Sequence, residues 1–264
     1  MPITLSDEQI QQYWDDGYIV VPGILSPEEI AMYKKRASEI ARGDLPEGGE
    51  KMLVRDVRVA KGEYTPEDPE KGLWKLLQPD WYDETFRDYP TKENLLDVVE
   101  QIIGPDIKCF LTMMIYKPPG LDGVHHPFHQ DKAYFNFGPA DRIMGTWIAL
   151  DATTADNGTM VFIPGSQKEY IEHELDVSER QNFGILFAKD HEPGHPDEVA
   201  VNLEPGAGVF FHSQLLHRTG PNTTEGHRRV LTMHCASCKC SMQGELLGQM
   251  KMRLVRGHEY ADCI

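Results

Sequence analysis

A mainly β fold with flanking N-terminal α-helices is what this sequence predicts, on three observations. Helix signals crowd residues 1–104. After Gly104 the chain breaks into short apolar or alternating runs separated by Gly, Pro, Asn and Asp. No helix of crossover length alternates with those runs. Many short strands with turn punctuation read as a sandwich or barrel, and the missing crossovers argue against a parallel α/β sheet. With 264 residues, 40% of them hydrophobic, the chain can build one well-buried core. The expectation is a single domain over 1–264: a mostly helical flank over 1–104, then a β-core over 105–240 carrying a polar, irregular insertion around 165–198.

The helical flank is read from caps and apolar periodicity. Ser6 followed by Gln9 is a capping-box start, with Ile10, Tyr13 and Trp14 on one face before Gly17. Ser26-Pro27-Glu28-Glu29 is a second start, with proline at the first helical position; Ile30, Tyr33, Ala37 and Ile40 follow as a stripe that Gly43 ends. Leu95, Leu96, Val99, Ile102 and Ile103 mark a third helix, stopped by Gly104-Pro105. The strand runs cover 107–116, 145–150, 160–163, 199–203, 208–212 and 229–234.

Composition excludes several classes. A formal charge of −16, from 42 acidic against 26 basic residues, gives an average field that repels DNA or RNA. No apolar run reaches 18 residues and the N-terminus lacks a secretory profile, so neither membrane insertion nor secretion is expected, and a cytoplasmic protein is the default. Five cysteines at uneven spacing do not form a disulfide framework. Cys235, Cys238 and Cys240, with Cys263, could in principle hold a thiophilic metal, but a zinc ribbon wants two separated knuckles; reduced thiols at a strand end are expected. The patterns at Asn157 and Asn222 that match glycosylation acceptors read as turns.

The chemistry centres on His125-His126-Pro127-Phe128-His129-Gln130-Asp131. On a strand, His129 and Asp131 point to one side and Gln130 to the other, so an imidazole and a carboxylate can share one ion. A histidine from a remote strand would complete a two-His-one-carboxylate facial triad, which leaves open positions and is diagnostic of non-haem Fe(II) oxygenases. His212 and His217 both qualify, and spacing does not choose between them. An arginine follows downstream, in Gly226-His227-Arg228-Arg229; a guanidinium is the two-pronged cation that the far carboxylate of a chelating 2-oxo acid needs. His126 reads as a pocket histidine, and His212 as packing or hydrogen bonding near the site; His125 and His234 have no assignment.

The ordered set His129-Gln130-Asp131, Asn157-Gly158, Ile163-Pro164-Gly165-Ser166, Phe210-Phe211-His212, His217 and Arg228 resembles the phytanoyl-CoA dioxygenase family. Arg55-Asp56-Val57 and Lys117-Pro118-Pro119 belong to the same likeness, which runs from about Asp15 to Ala236. The resemblance implies a double-stranded β-helix (jelly-roll, cupin-like) core, Fe(II), 2-oxoglutarate as co-substrate and O2 as oxidant. It implies hydroxylation of a small organic substrate, with the α-carbon of an acyl-CoA as one candidate, by a protein that is a monomer by default. It makes His217, rather than His212, the distal ligand beside His129 and Asp131. Arg228 then grips the 2-oxoglutarate tail with help from Thr219, and Lys75, Met113, Gln130 and Trp147 contact the co-substrate. Related halogenases replace the carboxylate ligand with a small residue, so the intact Asp131 favours hydroxylation. Two other readings compete: a non-catalytic metal- or ligand-binding jelly roll, and a zinc hydrolase on a cupin-like barrel, which would have no use for Arg228.

Overall fold

Both serine starts do what their sequences require. In α1 (Asp7–Asp16) and α2 (Pro27–Ala41), the Ser6 and Ser26 side chains accept from the backbone N–H three residues on, and Gln9 and Glu29 reach back to the cap N–H. Each cap is worth about 1 kcal/mol. Gly17, in the left-handed region at φ 88°, ends α1. The computed structural model describes residues 2–119, 126–176, 185–244 and 251–264.

The first third of the chain is less helical than its caps suggest. Strands β1 (Tyr18–Val21), β2 (Leu53–Arg55) and β3 (Leu73–Leu77) lie between the helices, with single turns α3 (Val57–Ala60) and α4 (Glu84–Arg87) before the long α5 (Glu93–Ile103). These strands are too short to carry a clear alternation, and neighbours in the sheet, not local propensity, make them strands. After α5 come β4 (Ile107–Lys117), β5 (His126–His129), β6 (Phe137–Gly138), β7 (Ile143–Ala149) and β8 (Met160–Phe162). A hairpin of β9 (His173–Asp176) and β10 (Ile185–Ala188) stands inside the segment expected to be irregular. The rest are β11 (Val199–Val201), β12 (Gly208–His212), β13 (His217–Thr219), β14 (Arg228–Ser237), β15 (Ser241–Met242) and β16 (Arg253–Arg256).

Among the described residues the main sheet runs β1-β12-β7-β14-β4-β3-β2, with β16 also on β4; a facing sheet runs β11-β8-β13-β5. All pairings are antiparallel. This is the jelly-roll core expected from the resemblance. Successive side chains of the main sheet leave it on opposite faces. Met114, Tyr116, Phe210, Leu231 and Met233 meet Tyr13, Tyr33, Ile40 and Leu95 in a core under the helices. Trp147, Val209, Phe211 and Val230 turn the other way and meet Met160 and Phe162 of the facing sheet. Burial on both faces explains why these strands read as continuous apolar runs rather than as clean alternation.

Gly145 links this packing to the space between the sheets. It pairs with Phe211, and a Cβ there would lie 2.3 Å from that ring. The ring is already 4.9 Å from the His217 ring and 5.7 Å from Phe162, so it cannot retreat. Gly145→Ala should therefore destabilise the fold by about 1–3 kcal/mol, read as a fall of several degrees in Tm. An unchanged Tm would mean that Phe211 relaxes freely.

Candidate active site

The histidine pair comes from strand pairing. His129 ends β5, His217 begins β13, and the two are register partners with ring centroids 4.0 Å apart. Asp131 is not on the strand, as its spacing suggested; it opens a 3-10 turn, Asp131–Tyr134. Gln130 between them is still extended, at φ −114° and ψ 127°, so the carboxylate nevertheless falls on the His129 side. Asp131 Oδ1 lies 3.6 Å from Nε2 of His129 and 3.6 Å from Nε2 of His217. One ligand atom from each residue lies within 4.8 Å of the others, all three residues are buried, and no other such group of metal-ligating side chains occurs among the described residues.

The protonation pattern suits coordination. The Nδ1 atoms of His129 and His217 each lie against a backbone carbonyl two residues back, Pro127 O at 3.0 Å and Leu215 O at 2.9 Å. A carbonyl only accepts, so each Nδ1 carries a hydrogen, and Nε2 is the nitrogen left to face an ion. Burial, reinforced by His129, pulls His217 down to about 3, which keeps it neutral. Burial alone would raise the Asp131 carboxyl, but His234, His217 and His129 around it hold it well below the usual carboxylate range. Two imidazoles and one carboxylate, with borderline N and O donors, fit a first-row divalent ion such as iron.

Beside this group a cavity of about 490 Å³ opens between the sheets. Arg228 lines it at 0% exposure, and none of its three guanidinium nitrogens has a hydrogen-bond partner among the described residues. Its neighbour Arg229 faces the other way and is saturated, with Nε 2.8 Å from Asp151 and Nη1 3.0 Å from Glu70. Two successive arginines thus divide between a structural ion network and the cavity. Burial lowers the Arg228 guanidinium to about 9, with only Asp151 opposing. Its charge lies 5.3 Å from the Trp147 ring centroid. Lys117, the register partner of Arg228, donates to Thr219 Oγ1 at 2.9 Å and to Gly220 O. Having accepted from the Lys117 amine, the Thr219 hydroxyl has its own proton to donate. Guanidinium and hydroxyl together form a receptor for a carboxylate.

Of the expected co-substrate contacts, Lys75, Met113, Trp147, Thr219 and Arg228 all line the cavity. Lys75 sits on β3, within the flank expected to be mostly helical, with its amine over Trp74 at 4.2 Å. Gln130 does not belong with them. Its carboxamide donates to Glu169 O and Gln214 O and accepts from Ile171 N, on the opposite side of the chain from the cavity, where it ties the segment before β9 to the β5 end. The alternation that aims Asp131 inward aims Gln130 outward. His212 also lies away from the site. Phe211 takes the inward face of β12, so His212 faces the helices, bonded to Asp141 at 3.1 Å and packed near Tyr13 and Trp14. His126 does line the cavity, its ring 4.0 Å from that of His129; His125 lies outside the described residues. The thiols of Cys235, Cys238, Cys240 and Cys263 are free.

Two cavity residues were missed from sequence. The Lys117-Pro118-Pro119 motif gives Lys117 no role by itself, and nothing around His234, whose Nε2 lies 3.0 Å from Asp131 Oδ2, assigns it one. Both could have been found by alternation: Lys117 stands four residues from Met113 on one strand, and His234 six from Arg228 on another, at the inward parity.

The family model described as phytanoyl-CoA dioxygenase matches residues 13–230. The peroxisomal phytanoyl-CoA dioxygenase of Homo sapiens is 34% identical over 244 residues, spanning 89% of this chain and 70% of that protein. A probable phytanoyl-CoA dioxygenase of Caenorhabditis elegans is 33% identical, spanning 88% and 76%. Among solved structures, the epimerase SnoN in complex with Fe3+, alpha ketoglutarate and nogalamycin RO superposes with a TM-score of 0.68 at 20% identity, covering 90% of this chain and 86% of that one. Apo EctD from S. alaskensis gives 0.70 at 19%, covering 94% and 82%. At those identities the two structures speak for the fold.

Proposed function

Because this chain belongs to the phytanoyl-CoA dioxygenase family of iron- and 2-oxoglutarate-dependent oxygenases, we propose that His129, Asp131 and His217 hold Fe(II) and that Arg228 receives the far carboxylate of 2-oxoglutarate. The observation that carries this reading is the fully buried guanidinium, without a hydrogen-bond partner among the described residues, in the same cavity as the triad. A desolvated cation is costly unless an anion meets it, and a zinc hydrolase would have no use for one here. When bound, iron with 2-oxoglutarate and O2 supplies oxidation of a C–H bond coupled to decarboxylation of the co-substrate. The chain supplies position and electrostatics. The carbonyl contacts at Nδ1 orient His129 and His217 with Nε2 toward the ion, and burial keeps His217 neutral. Arg228 and Thr219 orient the co-substrate tail, and Lys117 sets the direction of the Thr219 proton. Trp147, Met113 and Ile115 wall the cavity and exclude water.

The same cavity is also lined by Leu77, Leu111, Phe135 and Ile185. That surface suits an aliphatic segment, so an acyl-CoA hydroxylated at its α-carbon is the first substrate class to test. Aerobic incubation with Fe(II), 2-oxoglutarate and a panel of acyl-CoAs should yield succinate in step with substrate loss. Succinate that no organic substrate in the panel stimulates would reject the acyl class, and no iron-dependent decarboxylation under any condition would reject the oxygenase reading.

Lys75 gives this reading a pH signature. Burial lowers its amine from 10.5 to about 8, against the pull of Asp131. Below about 8 it is an ammonium able to assist co-substrate binding; above, it is neutral. The KM for 2-oxoglutarate should therefore rise as pH increases through about 8. Lys75→Met should raise that KM roughly tenfold at pH 7, from loss of one charge-assisted hydrogen bond, and flatten the rise. For stability the sign follows from proton counting. Between about 8 and 10.5 the unfolded chain binds more protons here than the folded one, so this amine's destabilising contribution, full below about 8, fades as pH rises through that window.

A further inference from the structure

Asp131 has two oxygens, and they face different partners. Oδ1 is 3.6 Å from each of the two Nε2 atoms, while Oδ2 is 3.0 Å from His234 Nε2. From this division the geometry assigns to His234 the role of a positioning residue: by donating to Oδ2 it leaves Asp131 only Oδ1 for the ion and fixes the plane of the carboxylate. The inference rests on the reading of His129, Asp131 and His217 as metal ligands.

The donor is placed by the fold. His234 stands on β14 between Leu111 of β4 and Gly145 of β7. On the cavity face its ring packs 5.6 Å from Phe135 and 6.2 Å from Phe110, centroid to centroid. An ionised carboxylate only accepts, so Nε2 must carry the hydrogen of this contact. Nδ1 is buried with no partner among the described residues, so the ring's bond to Asp131 is its only polar attachment there. Lys75 is drawn to the same charge but makes no hydrogen bond to it among the described residues. Without His234, Oδ2 would be a buried acceptor with no partner, free to swing toward the ion and occupy a second position on it. A facial triad needs its remaining positions open for co-substrate and O2. An outer donor that holds a ligand carboxylate to one oxygen protects both affinity and those positions.

The test compares three full-length variants with wild type in equilibrium competition for Co(II) against a chelating dye. His234→Leu keeps bulk but removes the donor, and should weaken Co(II) binding by about 10–100-fold and alter the visible bands of the bound ion. His234→Gln, whose amide N–H can stand where Nε2–H stood, should return affinity and spectrum to near wild type. Asp131→Ala is the control for the ligand reading. A role confined to packing would lower Tm in the metal-free protein while leaving Co(II) affinity alone; if His234→Leu does not fold, His234→Asn, too short to reach Oδ2, replaces it. Wild-type affinity in the donor-less variant, or equal losses for leucine and glutamine, would overturn the inference. No Co(II) binding by wild type, or none lost in Asp131→Ala, would overturn the ligand reading beneath it.

Discussion

Asp131→Ala is expected to abolish oxidation of the prime substrate and to weaken divalent-ion binding by more than about 100-fold. The lower bound comes from comparison: removing an outer-shell partner of a ligand costs about 10–100-fold, and the ligand itself must cost more. Asp131 is also the sole carboxylate of the group, so the variant asks two neutral imidazoles to hold a dication alone. The side chain removed is small and borders a cavity, so the fold should survive. Metal affinity by competition titration and succinate formation by turnover assay are the two measurements. Turnover retained in an iron-loaded Asp131→Ala sample would refute the ligand assignment.

Arg228→Leu is expected to separate binding from stability. Deleting one partner of a buried, hydrogen-bonded ion pair costs about 2–5 kcal/mol, so the KM for 2-oxoglutarate should rise by about 30-fold to several thousandfold. In the free protein the same residue is a desolvated cation with no partner among the described residues. Replacing it with the shorter, uncharged leucine beside the cavity should leave Tm unchanged or raise it. Arg228→Lys keeps the charge but loses the two-pronged geometry and should fall between the two. A variant that lost Tm and kept its KM would make Arg228 a structural residue.

How much of this was legible in the sequence depends on where each residue's orientation comes from. Capping boxes are local chemistry, and Ser6 and Ser26 announced α1 and α2 directly. Strands such as β4, β7, β12 and β14 were visible as apolar runs because they are buried on both faces. The short β1, β2 and β3 were not, since a partner across the sheet decides their conformation; Lys75, on β3, lines the cavity from a strand and not from the expected helical flank. His129 and Asp131 were found because a two-residue spacing survives the change from strand to 3-10 turn. The choice of His217 over His212 was not in the spacing. It follows from β12 ending with Phe211 inward and His212 under the helices, while β13 begins a new strand against β5. Gln130 faces away for the same reason that Asp131 faces in, since neighbours on an extended chain cannot both face the cavity. His234 was readable from its parity with Arg228, and its aim at Asp131 required knowing that β14 crosses behind the β5 end.

The most direct test is a crystal structure with Mn(II) and 2-oxoglutarate under anaerobic conditions, using anomalous scattering to locate the metal. One peak should lie within bonding distance of His129 Nε2, Asp131 Oδ1 and His217 Nε2, with the co-substrate's far carboxylate on the Arg228 guanidinium. A metal bound elsewhere, or a guanidinium turned from the cavity with the carboxylate unmet, would contradict it.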